Sequence, residues 1–310
     1  MIMRTALELE TKSKFSNLAA MNYQTTMEGI SEEQIQEFII KGLEEDVQDG
    51  DHTSLACVDP EKRDTSYLFS KDEGVIAGIP IAERIFKHLD PSAEMKINLA
   101  DGSAIHYKDV VFELNCNSQA LLKGERLALN LMQRLSGIAT MSDRFVAEIE
   151  GTDVTILDTR KTTPLLRFLE KYAVRVGGCT NYRDGLYDRI MIKDNHIDAC
   201  GSIPKAITKA NNYLQSNNKN LEITIEVRNL VELNQVLETG QVNRIMLDNF
   251  ELPLLREAIS TIGSRFESEA SGGVDLFTVR EIAKTGVNFI SVGALTHSAG
   301  SLDLSLKVQK

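Results

Sequence analysis

The sequence predicts an α/β protein whose larger part is a parallel barrel, preceded by a small α+β layer. Three observations carry this. From Val154 onward, apolar runs of strand length alternate with helical stretches, and strands buried on both faces of a parallel sheet read as unbroken apolar runs. The last of these units recur at a spacing of roughly 22 residues, which suits successive βα units. No Gly-x-Gly-x-x-Gly turn is present, so a barrel, complete or incomplete, is favoured over an open doubly wound sheet.

Taken in order, residues 1–25 read as a polar N-terminal extension with neither the apolar core of a signal peptide nor an Arg-rich transit pattern. Ser31 followed by Glu32 and Glu33 is a helix start, with Ser31 as N-cap, and the helix runs to Leu43. Strand-like runs follow at Tyr67–Ser70, Gly74–Gly78, Met95–Leu99 and Val110–Leu114, with a helix over Ile81–Leu89 between them. Leu127, Leu131 and Leu135 repeat every fourth residue, with Met132 and Ile138 widening the stripe, so Gly124–Glu150 is a long linking helix. The barrel strands are expected at Val154–Leu157, Ala173–Val176, Ile190–Ile192, Ile223–Val227, Arg244–Leu247, Phe266–Ala270 and Phe289–Val292. The helices between them are expected at Ile203–Leu214, Leu230–Glu238, Leu252–Ile262 and Asp275–Lys284.

Bulk properties narrow the function. The formal net charge is -11, which disfavours nucleic acid and anionic membrane as main partners. No apolar run approaches the ~20 residues that cross a bilayer. Four cysteines without a Cys-x-x-Cys pair read as reduced thiols in a cytoplasm, and five histidines without a ligand-type spacing argue against a structural zinc.

The functional signal lies after each apolar run. There the chain carries Asp158-Thr-Arg160-Lys161, then Lys193-Asp-Asn-His196, Glu226 with Arg228, Asp248-Asn249, Ser271-Gly272-Gly273 and Gly293-Ala294. In a parallel barrel these ends open on one mouth, where polar groups are costly unless they meet ligands or one another. Arg160, Lys161, Arg183 and Lys193 form a cationic set, with Arg126 and Arg175 as further candidates; forked guanidiniums and ammonium points imply a polyanionic substrate. The bare N–H groups of the late strand ends suit a phosphate. Glu226 and Asp248 could hold magnesium, bind ribose hydroxyls or stabilise a cationic transition state. Plainer readings stand beside these. Arg167, Glu170 and Lys171 read as a solvated helix face, Asp194 as a turn cap, and His196 as a structural histidine.

These motifs together resemble one family. Glu125-Arg126-Leu-Ala-Leu-Asn-Leu-Met-Gln-Arg134-Leu-Ser-Gly, Asp158-Thr-Arg-Lys-Thr-Thr-Pro, Lys171-Tyr-Ala-Val-Arg-Val-Gly-Gly, Lys193-Asp-Asn-His, Leu247-Asp-Asn-Phe, Glu269-Ala-Ser-Gly-Gly and Ser291-Val-Gly-Ala-Leu-Thr-His-Ser are similar to those of the quinolinate phosphoribosyltransferases, and Gly50-Asp-His-Thr-Ser54 fits their amino-terminal domain. The resemblance implies an α+β sandwich over residues 26–124, onto which residues 297–310 pack back, and an incomplete α/β (TIM-like) barrel over 125–296. It implies phosphoribosyl transfer to quinolinate with decarboxylation in NAD synthesis, a Mg2+ cofactor, and a homodimer in which Arg126 is lent to the partner's site. By the same resemblance Arg160, Lys161, Tyr182, Arg183 and Lys193 bind the carboxylates and phosphates, Glu226 and Asp248 face ribose and metal, and Ser271, Gly272, Gly293 and His297 line the phosphate region; Lys161, Glu226 and Asp248 are the expected catalytic residues. Three positions depart from the family. Tyr182 stands in place of a histidine that helps bind the acid, Thr224 in place of a common acidic residue, and Cys179 in place of a glycine. Alternatives are transfer to a different aromatic acid, an accessory anion-binding barrel, and an unrelated phosphate-sugar barrel enzyme.

Overall fold

The computed structural model describes residues 27 and 29–309; the polar extension expected over residues 1–25 lies outside the described residues. Two compact units are present. Of the described residues, one comprises those up to 141, 168–178 and 299–309, and the other 142–167 and 179–298. The elements in chain order are α1 (Glu32–Val47), α2 (His52–Cys57), β1 (Arg63–Ser70), β2 (Gly74–Val75), α3 (Ile79–Leu89), β3 (Glu94–Ile97), β4 (Ala104–Ile105), β5 (Val110–Asn117) and α4 (Ser118–Glu148). They continue with β6 (Thr155–Leu157), α5 (Arg167–Val176), β7 (Ile190–Ile192), α6 (Asp194–Cys200), α7 (Ile203–Ser216), β8 (Ile223–Val227), α8 (Leu230–Thr239), β9 (Arg244–Asp248) and α9 (Leu252–Ile262). The last are β10 (Glu267–Ser271), α10 (Val279–Ala283), β11 (Phe289–Ser291), α11 (Ala294–His297) and β12 (Leu304–Val308).

In the first unit, Ser31 starts α1 as its sequence predicts. Gln34 N donates to Ser31 Oγ and Ser31 N donates back to Gln34 Oε1, each at 3.1 Å, so two otherwise orphaned donors are satisfied reciprocally. Ile35, Ile39 and Leu43, four apart, are the buried stripe. An antiparallel sheet in the order β12-β1-β5-β3 forms this unit's layer, and β2 pairs with β4. Leu68 of β1 and Phe112, Leu114 and Cys116 of β5 are buried core residues of the sheet. On α4, Gly137 is required by a close approach, because a Cβ there would come within 1.7 Å of the Gly300 carbonyl oxygen.

The second unit holds a six-stranded, wholly parallel sheet in the order β6-β11-β10-β9-β8-β7. The first strand of this sheet in chain order, β6, pairs with its last, β11, so the sheet curls into a barrel. The remaining seam, between β6 and β7, has no ladder. A single parallel bridge joins Leu157 to Thr180, through Thr180 N to Ile156 O at 2.9 Å and Asp158 N to Thr180 O at 3.1 Å. The architecture is therefore an incomplete α/β barrel accompanied by an antiparallel α+β unit.

Three expectations are corrected. Ala173–Val176 is not a strand; it is the end of α5. A four-residue apolar run does not distinguish a buried strand from a helix buried nearly all round, and here Leu169 to Val174 are all buried. For the same reason Glu170 and Lys171 are not a solvated face, being 0% and 2% exposed. Glu170 Oε1 accepts from Arg134 Nε and Nη2 at 3.0 and 2.8 Å, and Arg134 Nη1 donates to Ala299 O at 2.9 Å. The helix expected over Asp275–Lys284 is shortened to Val279–Ala283. Asp275 Oδ1 instead accepts from Phe277 N and Thr278 N, each at 2.9 Å, and holds the preceding residues in a turn.

Asp101 is a part-buried aspartate in the first unit. It accepts from Gly78 N at 2.9 Å, Ile79 N at 3.0 Å and the Tyr172 hydroxyl, and so caps the start of α3, where Gly78 is left-handed at φ +103°. Burial pushes its carboxyl up to about 7 against the pull of the two N–H donors. A carboxyl raised in the folded state holds its proton longer there than in the unfolded chain, so its contribution to stability declines as pH rises from about 4 to about 7. Urea midpoints measured across that window should fall more for the wild-type protein than for Asp101→Asn; parallel pH profiles would contradict the assignment.

Candidate active site

Strand geometry explains how the site is assembled. Side chains alternate along a strand, so residues two apart share a face. Met191 and Lys193, Glu226, Met246 and Asp248, Ser271, Ser291 and Gly293 all open on one cavity of about 750 Å3, together with Thr159, Arg160, Lys161, Tyr182, Arg183 and His297. Every strand-end candidate named from the sequence as a site residue lines this cavity. Arg126 and Arg175 do not. Arg126 is exposed on α4 and Arg175 lies on α5. His196 is outside it as well, and its Nδ1 accepts the Lys193 amide at 2.9 Å, the structural role its residue type suggests.

Cations dominate one side. Burial, and then the neighbouring Arg160 charge, pulls the Arg183 guanidinium below its ordinary value. Arg160 Nε is buried without a hydrogen-bond partner. A buried donor left unmatched beside a second guanidinium is unfavourable in the empty protein and is relieved by an anion. Lys161 is set from two directions: its carbonyl accepts from Thr296 Oγ1 at 2.8 Å, and its amide donates to Thr159 Oγ1 at 3.1 Å. Gly293 lets Lys161 and His297 converge, since a Cβ at this position would lie 3.1 Å from Lys161 Cδ and 3.0 Å from His297 Nε2.

Two carboxylates face these cations. Lys193 Nζ donates to Glu226 Oε2 at 3.0 Å, so the Glu226 charge is partly compensated. Asp248 takes only a neutral donor here, Asn249 Nδ2 at 2.7 Å. Among the described residues no group of three or more His, Cys, Asp or Glu side chains is placed to hold a metal. A divalent ion could be held here by these two carboxylates only together with oxygens of a bound phosphate and water, the coordination habit of magnesium.

Tyr182 is more tightly held than its sequence position suggests. Its amide donates to Asp158 Oδ1 at 2.8 Å, and its hydroxyl lies 2.6 Å from Thr224 Oγ1. Burial, and then the Glu269 charge, pushes that hydroxyl up to about 12. Two of the three positions expected from the sequence to depart from the family pattern, Tyr182 and Thr224, are thus in direct contact. Sequence reasoning did not single out Thr159, Met191, Met246 or Ser291. The signal was available for three of them, since Met191, Met246 and Ser291 stand two residues before Lys193, Asp248 and Gly293.

Comparison with known proteins gives the family. Residues 51–136 match the model of the quinolinate phosphoribosyl transferase N-terminal domain, and residues 138–307 that of the C-terminal domain. The chain belongs to the quinolinate phosphoribosyltransferase family. It is 41% identical over 281 residues to quinolinate phosphoribosyltransferase [decarboxylating] 1b of Nicotiana tabacum, covering 86% of this chain and 80% of that one. It is 43% identical over 264 residues to a probable nicotinate-nucleotide pyrophosphorylase [carboxylating] of Bacillus subtilis, covering 85% and 90%. The crystal structure of NadC from Streptococcus pyogenes superposes with a TM-score of 0.85 at 37% identity, covering 91% of this chain and 99% of that one.

Gly272, at φ +101°, is a sensitive point of the site. A Cβ there would come within 2.2 Å of Asn249 Oδ1, and Asn249 is itself left-handed at φ +54°. Gly272→Ala should therefore displace the Asn249 side chain from Asp248. The expected result is a loss of turnover of about tenfold or more with the unfolding temperature lowered by only a few degrees. Steady-state rates together with calorimetry check this; unchanged turnover would show that the contact is dispensable.

Proposed function

We propose that the protein transfers the phosphoribosyl group of phosphoribosyl pyrophosphate to quinolinate and releases the adjacent carboxyl group, giving nicotinate mononucleotide, pyrophosphate and carbon dioxide in NAD synthesis. The observation that carries this reading is the single cavity in which Arg160, Lys161, Arg183 and Lys193 face Glu226 and Asp248, with the Arg160 Nε donor unmatched. Arg160 and Arg183 suit the two carboxylates of the acid, because forked guanidiniums pair with planar anions. Lys161, Lys193, His297 and the N–H groups around Ser271, Gly272 and Gly293 suit the phosphates. The bond from ribose C1 to pyrophosphate breaks as the pyridine nitrogen bonds to that carbon. Glu226 and Asp248 stabilise the positive charge that develops on the ribose. The quaternised ring then accepts the electron pair of the departing carboxylate, and the ring carbon takes up a proton.

Magnesium, bound through the pyrophosphate with Glu226 and Asp248, would neutralise leaving-group charge. We further propose a homodimer in which the exposed Arg126 enters the partner's cavity, and a reducing, cytoplasmic setting, which the four free cysteines support. No helix among the described residues is long and apolar enough to cross a membrane. A second reading, a different aromatic acid as acceptor, is favoured by the neutral Tyr182 at the cavity wall.

Purified protein given quinolinate, phosphoribosyl pyrophosphate and magnesium should release nicotinate mononucleotide and carbon dioxide in equal amounts. Arg160→Ala and Lys193→Ala should each cut turnover by about a hundredfold or more while folding is retained. Equal release from another pyridine acid, with none from quinolinate, would instead establish the second reading. For the dimer, mixing the separately inactive Arg126→Ala and Lys193→Ala proteins should restore about a quarter of wild-type activity, because half the dimers are mixed and each mixed dimer has one intact site. No recovery on mixing would place Arg126 outside the partner's site.

A further inference from the structure

Below the cavity the barrel interior is charged. Arg244 lies on the same face of β9 as Met246 and Asp248, one layer deeper, and is only 5% exposed. Its Nη1 donates to Glu269 at 3.2 Å and its Nε to Glu267 at 3.0 Å, while Ser291 Oγ donates to the other Glu269 oxygen. The guanidinium carbon lies 3.6 Å from the centroid of the Phe289 ring and 5.2 Å from that of Tyr182; Arg189 lies over Tyr182 at 5.1 Å. Tyr182 is thus held at its backbone by Asp158, at its hydroxyl by Thr224 and at its ring by two guanidiniums. Filling space beneath a cavity needs no buried arginine, since apolar side chains of similar volume serve as well or better for stability.

We propose that Arg244 is a positioning residue that acts through Tyr182, so that the cavity's affinity for its acid substrate depends on a guanidinium which the substrate does not touch. The inference rests on the reading that the cavity takes an aromatic acid. Tyr182, Met191 and Met246 are the large uncharged side chains lining it, and a flat ring held by Arg160 and Arg183 at its carboxylates needs such a surface. A displacement of about 1 Å in that wall misplaces the attacking nitrogen and weakens acid binding.

The test combines calorimetric titration of quinolinate and, separately, of phosphoribosyl pyrophosphate with steady-state kinetics on the full chain. Arg244→Met alone would strand the buried Glu269 carboxylate, so it is paired with Glu269→Gln in a double variant. Arg244→Lys keeps the charge without the flat stacking face. The double variant and Tyr182→Leu should each weaken quinolinate binding and raise its KM by about tenfold. Phosphoribosyl pyrophosphate binding should change less than about twofold, and the triple variant should be little worse than Tyr182→Leu. Arg244→Lys should recover unfolding temperature but not acid affinity. Unchanged acid affinity in a folded double variant, or losses that simply add in the triple variant, would overturn the proposal. A wild-type protein that binds quinolinate without turning it over removes the proposed reaction and leaves this inference standing; one that binds no aromatic acid removes both.

Discussion

Asp158 directly follows β6, has no exposed surface, and accepts hydrogen bonds from Asn181 Nδ2 at 2.6 Å and Tyr182 N at 2.8 Å. Those two residues belong to the far side of the one barrel seam that has no ladder. A parallel sheet normally holds its neighbouring strands by a regular row of backbone bonds, and here two backbone bonds through Thr180 are joined by the two that this carboxylate accepts. Arg160 and Lys161 follow Asp158 directly, and Arg183 follows Tyr182. The relative placement of the cations on the two sides of the seam therefore depends on this buried carboxylate. Such an anion is tolerated because each oxygen is matched by a donor.

The barrel interior shows the same logic in layers. Close to the cavity mouth, like charges crowd together, as with Arg160 and Arg183, and their mutual repulsion favours an incoming anion. One layer down, opposite charges are paired, Arg244 with Glu269 and Glu267, and the Ser291 hydroxyl donates to Glu269. Burial pushes the Glu269 carboxyl up, and the Ser291 and Arg244 bonds oppose it. At the cavity the Arg160 Nε donor is left unmatched where an anion can reach it, while the Arg244 guanidinium beneath is matched by Glu267 and Glu269.

Much of this arrangement was legible in the sequence because a parallel barrel makes strand ends converge. Once Val154, Ile190, Ile223, Arg244 and Phe289 were read as strand starts, the polar residues following each run had to meet. The failures have equally physical causes. Ala173–Val176 misled because a helix buried on nearly every side loses the polar face that marks its period. Glu170 looked like a surface charge because its partner, Arg134, is 36 residues away on another helix. The contact between Tyr182 and Thr224 joins residues 42 apart, and no local pattern announces such a pair. Asn249 was visible as a strand-end residue, but its left-handed backbone and its interlock with Gly272 belong to three-dimensional crowding.

The pairing of β1 with β12 bears on how the chain is made. Residues Ser66 to Ser70 hydrogen-bond on one side to β5, which is close in sequence, and on the other to residues 304–308. A ribosome therefore releases the whole barrel unit before the outer edge of β1 can be covered. Until then the nascent sheet carries an open strand edge, the kind of surface that templates pairing with a second chain. Covering that edge is a long-range closure rather than a local one, since it waits on residues 304–308. Chaperone occupancy while the barrel unit is being made therefore bears on how much of the chain escapes such mispairing.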